Sequence, residues 1–106
     1  MRRFSRATGA VAIAFTLAPN IGFSLKEIRI HLSAAGGAGD LTATINSAAG
    51  PAYDVVLINQ DMTAVTDIIL QPAQPHEFEA GDELLIAWAN ANTRTYGIEV
   101  VWSWSP

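Results

Sequence analysis

The chain has 106 residues, which is enough for one domain with its own hydrophobic core and excludes two. It contains no cysteine, so disulfide bonds and thiolate metal sites are excluded. Apolar residues make up 50% of the sequence and charged residues only 15%, which argues against intrinsic disorder. So few charges also indicate that other subunits cover part of the surface, and we predict a homo-oligomer.

The formal net charge of −4 is unevenly distributed along the chain. Arg2, Arg3 and Arg6 supply half of the basic residues, while the remaining 100 residues carry three basic and ten acidic ones. Because contacts to phosphate require lysine and arginine, the acidic body argues against a nucleic-acid partner. We predict a basic N-terminal arm over residues 1–8 and a β-sandwich domain over residues 9–106.

The segment GAVAIAFTLAP, Gly9 to Pro19, has two interpretations. As a secretory signal peptide it would be cleaved after Ala14, which leaves an apolar run of about five residues where ~7–15 are needed. Cleavage after Ala18 would be hindered by the proline that follows. As a strand it shows strict alternation, with Val11, Ile13, Phe15 and Leu17 on one side. We therefore predict a strand, with a secreted domain as the alternative. The apolar run is about half of the ~20 residues that a transmembrane helix needs, so we predict no membrane partner.

The following segments alternate apolar and polar residues between turns. After Phe23 and Leu25 the apolar positions change phase at Lys26–Glu27, which predicts a β-bulge. Two small-residue segments, SAAGGAGD (33–40) and SAAGPA (47–52), predict flexible turns on either side of a strand over LTATIN. In the first turn, the glycines are expected to take positive φ angles.

The second half of the chain continues the same pattern. YDVVLINQDM and VTDIILQP predict two strands, the second of which ends at Pro72 and Pro75. We expect His76 in a loop and the Ala80–Asp82 turn before another strand. The inward positions of the last two strands are Leu84, Ile86, Trp88, Tyr96, Ile98, Val100, Trp102 and Trp104.

No window of helical length has apolar residues at three- and four-residue spacing. Short strands separated by turns every ~8–12 residues are typical of a sandwich or small barrel. The predicted fold class is all-β: a single antiparallel β-sandwich, jelly-roll-like, with about seven to eight strands.

The sequence offers little that could support catalysis or metal binding. His31 and His76 lie in different segments, and the spacing around His76 matches no established set of metal ligands. The acidic residues lack the dense alternation of an EF-hand loop, although an irregular calcium site at Asp54, Asp61 or Asp67 is an alternative. A serine-nucleophile elbow and a glycine-rich loop before a helix are both missing. We predict no catalytic residues, no metal, no cofactor and no enzymatic activity.

The remaining candidates are aromatic and basic residues at the two ends of the sequence. Trp104 lies two residues from the C-terminus, where its own chain encloses it least, and we expect it to contact a neighbouring subunit. In the arm, Phe4 can anchor an apolar contact while the arginines face an acidic neighbour. An arm without a role is the alternative. The predicted partner-binding residues are Arg2, Arg3, Phe4, Arg6 and Trp104.

Four segments carry a resemblance to a known group: IRIHLSAAGGAGDLT, AYDVVL, AGDELLIAWAN and TYGIEV. They resemble small β-sandwich virion proteins of tailed bacteriophages, and the resemblance covers most of residues 23 to 102. These motifs consist of turns and core positions, so they imply a fold more directly than a function. The resemblance carries over no catalytic residue.

The resemblance implies a non-enzymatic structural protein of the virion, a capsid decoration (cement) or head-associated protein. Its partners would be the major capsid protein or neighbouring head or tail subunits, and its location the virion. Two alternatives remain: a tail or neck component, and a carbohydrate- or receptor-binding sandwich that uses its tryptophan-rich end.

Overall fold

The structure, a computed structural model, describes residues 2–105. These residues form nine β-strands and a 3₁₀ turn at Pro51–Tyr53. The strands are β1 (Arg2–Gly9), β2 (Ile13–Leu17), β3 (Phe23–Leu32), β4 (Asp40–Asn46), β5 (Val55–Asp61), β6 (Asp67–Leu70), β7 (His76–Phe78), β8 (Glu83–Trp88) and β9 (Tyr96–Trp104).

The strands form two antiparallel sheets that pack into a sandwich. The five-stranded sheet has the order β1-β9-β3-β6, with β7 also paired to β3, and the four-stranded sheet has the order β2-β8-β4-β5. The pairs are nested along the chain, since β1 pairs with β9, β2 with β8, β3 with β6 and β4 with β5. A long hairpin rolled up in this way is a jelly roll. The predicted antiparallel β-sandwich is confirmed, with nine strands instead of seven or eight.

The inward faces of the two sheets form one hydrophobic core, and β3 contributes to it on both sides of a bulge. The register between β3 and β9 shifts between Leu25 and Glu27, so Lys26 is the extra residue. Leu25 before the bulge and Ile28 after it both have 0% exposure. The bulge predicted from the phase change is confirmed, and it keeps both halves of β3 facing inward.

Strand β9 runs between β1 and β3, and its apolar side chains lie on the predicted face. Ile98, Val100 and Trp102 are buried, while Trp104 at the open end of the strand is 38% exposed. The strand predicted within Gly9–Pro19 is confirmed as β2, where Ile13 and Leu17 are buried.

The glycine-rich segment after β3 crosses a buried methionine. A Cβ on Gly36 would lie 2.6 Å from the carbonyl oxygen of Met62, so no other residue fits at this position. Met62 itself has 0% exposure. Of the glycines in this turn, Gly39 has the expected positive φ, at 116°.

Two segments differ from expectation. We expected an arm over residues 1–8, but its described residues belong to β1 (Arg2–Gly9), which pairs with β9 along its whole length. The expectation that His76 lies in a loop is wrong, because His76–Phe78 form the short strand β7. Phe78 of this strand is buried and stacks on Phe23, with 4.3 Å between the ring centroids.

Within the described part of the chain, no helix has the length and hydrophobicity to span a membrane.

Candidate interaction edges

The predicted partner-binding residues lie together at one edge of the sandwich. Arg2, Arg3, Phe4 and Arg6 belong to the edge strand β1, and Trp104 ends the adjacent strand β9. We call the surface formed by these five residues and Val11 the basic edge. Phe4 is 49% exposed and Val11, in the connection to β2, is 70% exposed.

Aromatic rings and a guanidinium organise the open end of the basic edge. Trp104 packs edge-to-face against Trp102, with ring centroids 4.6 Å apart. The guanidinium of Arg3 lies over the Trp104 ring at 4.8 Å from its centroid, within cation–π distance. The indole Nε1 of Trp102 donates a hydrogen bond of 2.9 Å to Ser5 Oγ, which fixes β1 against β9. Trp104 is therefore held in place while much of its surface stays exposed.

A row of alternating charges crosses the outer face of the five-stranded sheet. Arg6 Nε donates to Glu99 Oε2 at 2.6 Å, and Arg29 Nη1 donates to Glu99 Oε1 at 2.8 Å. Arg29 Nε also donates to Glu27 Oε1 at 2.8 Å. The register explains the row, since Arg6, Glu99 and Arg29 stand opposite one another on β1, β9 and β3.

Glu27 is the most enclosed carboxylate of this row, with 7% exposure. The hydrogen bond from Arg29 lowers the pKa of Glu27, and the Gln71 amide adds a second donor, while burial acts in the opposite direction. Glu27 in turn raises the pKa of Arg29. Through the hydrogen bond from Gln71, Glu27 links β3 to the segment after β6.

A shallow groove of about 700 Å³ lies over the same face of the sheet. Gly97 leaves its floor open because nothing lies within 4 Å of the position a Cβ would take. The charged side chains that line it already have partners, since Arg6 and Arg29 bind Glu99, and His31 Nδ1 lies 2.6 Å from Asp67 Oδ1. The groove is therefore electrically balanced.

The opposite edge of the sandwich is acidic. It comprises β5 of one sheet and β6 with β7 of the other, the strands farthest from β2 and β1 in their sheets. We call this surface the acidic edge, defined by the carboxylates and the exposed apolar side chains of residues 53–79: Asp54, Asp61, Asp67, Glu77, Glu79, Tyr53, Val55, Val56 and Ile69.

Two serine hydroxyl groups hold Glu77 in place on the acidic edge. Ser24 Oγ donates to both of its carboxylate oxygens at 2.8 Å, and Ser105 Oγ donates to Oε2 at 2.9 Å. These two hydroxyls, that of Ser24 first, lower the pKa of Glu77. A depression of about 390 Å³ opens beside it between Ile45, Tyr53 and the acidic side chains. Its lining, which also includes Glu79 and Asp82, combines an aromatic ring with three carboxylates.

The carboxylates and histidines do not gather into a metal site. Within residues 2–105, no three of the His, Asp and Glu side chains are placed to hold a metal ion. Asp61 instead accepts hydrogen bonds from the backbone and hydroxyl of Thr63, which lower its pKa. Asp54 accepts the amide hydrogen of Ser47. Asp54 and Asp61 thus serve local turns, whereas Asp67 on β6 pairs with His31 of β3.

Sequence reasoning located the basic edge but missed the acidic one. Val11 could have been added to the basic edge, because it closely follows β1 in the sequence. The acidic edge joins residues from Tyr53 to Glu79 that no local motif connects, and the available signal was the lack of lysine and arginine between Ile30 and Thr93.

Comparison with known proteins identifies similar folds but no family. No protein-family model and no curated protein matches this chain. The nucleoplasmin-like N-terminal domain of Drosophila FKBP39 aligns over 100% of this chain and 92% of its own, at 12% identity and a TM-score of 0.47. The Drosophila NLP core, a structure described for pentamer formation and histone binding, aligns over 93% of this chain and 96% of its own, at 11% identity and a TM-score of 0.48.

These findings correct the expectations that rested on the phage resemblance. The resemblance to virion proteins is corrected, because the similar solved structures are nucleoplasmin-like domains and not virion proteins. The predicted virion function, as a capsid, head, tail or neck component, is corrected for the same reason. Virion proteins as partners and the virion as location are wrong as well.

Proposed function

We propose that this protein is a non-catalytic β-sandwich subunit that assembles with copies of itself through its basic edge. One observation carries the proposal. Phe4, Val11 and Trp104 are large, apolar and exposed, and they lie beside three arginines on the same edge. Aromatic residues and arginine are enriched at the centres of protein–protein interfaces, where lysine and acidic residues are depleted.

The packing of β1 supports the same proposal. None of the eight residues Arg2–Gly9 is fully buried within the subunit, so the strand adds little to the subunit's own core. Its outer edge is that of a terminal strand in the sheet, and long uncovered edges invite further contacts. A partner on this edge would cover both the apolar side chains and the open strand.

The titratable residues support a structural role over a catalytic one. His31 and Asp67 form an exposed pair on the outer face. Glu77 and Glu99 hold neighbouring strands together, and Glu27 binds Arg29 on its own strand and Gln71 after β6. Each of these groups has a packing partner that accounts for its position. General acid–base catalysis needs such groups to converge on a substrate position in a cleft.

Sedimentation equilibrium across a range of protein concentrations tests the proposal. The full chain is expected to have a mass that is a multiple of 11.3 kDa, and F4S and W104S should lower that mass toward the monomer. A87S is the control, because Ala87 is exposed on β8, one strand in from β2, and is not a residue of the basic edge. Urea unfolding of each variant checks that it is folded. A monomeric wild-type chain at every concentration would overturn the proposal.

A further inference from the structure

The two edges of the sandwich face in opposite directions. In the five-stranded sheet β1 lies at one side and β6 at the other, and in the four-stranded sheet β2 and β5 occupy the corresponding sides. A short connection joins β1 to β2 at one side of the sandwich, and another joins β5 to β6 at the other. The edge strand β1 is therefore separated from β6 and β7 by β9 and β3, and these edge strands do not pair within one chain.

The two edges carry opposite charges. Residues 2–17 contain three arginines and no acidic residue. Residues 53–79 contain five carboxylates and neither lysine nor arginine. Contact between two basic edges, or between two acidic edges, would place like charges opposite each other, whereas contact between unlike edges would pair them.

Exposed apolar side chains follow the same division. Among residues 2–105, the exposed large hydrophobic side chains lie on these two edges, with the sole addition of Ile21 in the loop after β2. Phe4, Val11 and Trp104 belong to the basic edge. The acidic edge presents Tyr53, Val55, Val56 and Ile69, each at least half exposed. Each edge thus has apolar area to bury and charges to orient the contact.

Strand register places complementary groups at the same height. Arg2 pairs with Ser103, Ser103 with Ser24, and Ser24 with Glu77. One row of the five-stranded sheet therefore begins with an arginine and ends with a carboxylate. A neighbouring copy, rotated about an axis roughly parallel to the strands, would bring its Glu77 to the level of Arg2.

We infer that the basic edge of one copy docks against the acidic edge of the next, so that the subunits join head to tail. This inference rests on the proposed self-assembly and names the surface that receives the basic edge. A head-to-tail contact repeated around an axis closes into a ring. The depression beside Tyr53, Glu77 and Glu79 can receive an arginine side chain of the neighbour.

The contact is made by side chains and not by one continuous added strand. Gln71–Pro75 separates β6 from β7, and the prolines at positions 72 and 75 have no amide hydrogen to donate. The eight-residue β1 therefore cannot extend the sheet along the whole acidic edge. Apolar burial supplies the affinity, and the charges select the orientation.

Charge reversal with complementation tests the inference. R2E/R3E replaces two of the three arginines of the basic edge by glutamates, and E77R/E79R replaces two of the five carboxylates of the acidic edge by arginines at the level of Arg2. Each variant alone is expected to sediment as a monomer at concentrations where the wild-type chain is assembled. An equimolar mixture should recover assemblies that contain both chains, which native mass spectrometry identifies. Raising sodium chloride from about 0.05 to 0.5 M should weaken wild-type assembly, because salt screens exposed charges.

Two further variants guard against misfolding. E79R alone leaves the Glu77 hydrogen bonds intact, and it should weaken assembly and be rescued by R2E/R3E. A87R and A87E add charge on the outer face of β8 and should assemble like the wild-type chain.

The possible results separate the two proposals. A monomeric wild-type chain would overturn self-assembly itself. If the wild-type chain assembles but both charge-reversed variants also assemble, self-assembly stands and the head-to-tail contact is wrong. Assembly of folded E77R/E79R alone would indicate contact between two basic edges, and a mixture that stays monomeric would likewise overturn the inference.

Discussion

The guanidinium of Arg3 lies 4.8 Å from the centroid of the Trp104 ring, which joins the first described strand of the chain to the last. Arg3 stands on β1 opposite Trp102, and Trp104 packs edge-to-face on that same tryptophan. The three side chains form a stack at the open end of the sheet. The stack gives the basic edge a defined shape before any partner arrives.

Replacing Arg3 by alanine should loosen this stack. Cation–π contacts at exposed sites are worth about 0.5–1 kcal/mol, so R3A should lower the free energy of unfolding by about that amount. Urea unfolding followed by circular dichroism measures the change. R3K, which keeps a charge but not the planar guanidinium, should fall between R3A and the wild-type chain. Equal stabilities for all three proteins would show that the contact contributes nothing.

Deleting Lys26 should leave the protein folded. The pairs on either side of the bulge, Leu25 with Trp102 and Glu27 with Val101, follow one another without it, and Leu25 and Ile28 would then lie two positions apart on the inward face of a regular strand. Burying a large aliphatic side chain is worth about 1.5–3 kcal/mol, so a loss of that size or more in the deletion variant would show that the register had slipped and exposed part of the strand. Near-ultraviolet circular dichroism and the urea midpoint measure the change. K26A keeps the bulge and should also remain close to wild type.

The same bulge shows what the sequence could predict. In a strand with one buried face, apolar residues occupy alternate positions of the sequence. The change of phase at Lys26 and the inward face of β9 could therefore be predicted from the sequence. β1 was not visible as a strand, since its side chains bury little and backbone pairing with β9 holds it. β7 has three residues, too few to show alternation. The acidic edge depends on β3, which pairs with β7 along its first half and with β6 along its second, and this is a long-range relationship.

Asn90 should be one of the most sensitive polar positions. It is 2% exposed, its amide donates to the carbonyl oxygens of Val11 and Arg94, and its side-chain oxygen accepts from the Arg94 amide. N90A removes all three bonds of a side chain that is itself buried, at a cost of about 1–3 kcal/mol. Its φ of 51° adds about 1 kcal/mol for alanine. In urea unfolding, N90A should therefore have a lower free energy of unfolding than N90G, because glycine tolerates this φ. A higher value for N90A than for N90G would show that backbone strain does not contribute.

The stability of the fold should fall in acid, and Glu27 should account for part of the fall. The hydrogen bond from Arg29 holds the pKa of Glu27 below its ordinary value, and the hydrogen bond from Gln71 acts in the same direction. A carboxylate with a lowered pKa stabilises the folded state fully above the unfolded value of about 4.3, and this contribution disappears as the pH falls through the lowered folded value.

Urea midpoints measured from pH 7 to pH 3 test this dependence in wild type and E27Q. Because glutamine does not titrate, E27Q should be less stable at neutral pH and lose less stability as the pH falls. Asp61, Asp67 and Glu77 also have lowered pKa values, so a residual acid dependence should persist in the variant. Q71A removes one donor and keeps the carboxylate, so its slope should lie between the other two. Parallel curves for E27Q and wild type would show that Glu27 does not contribute.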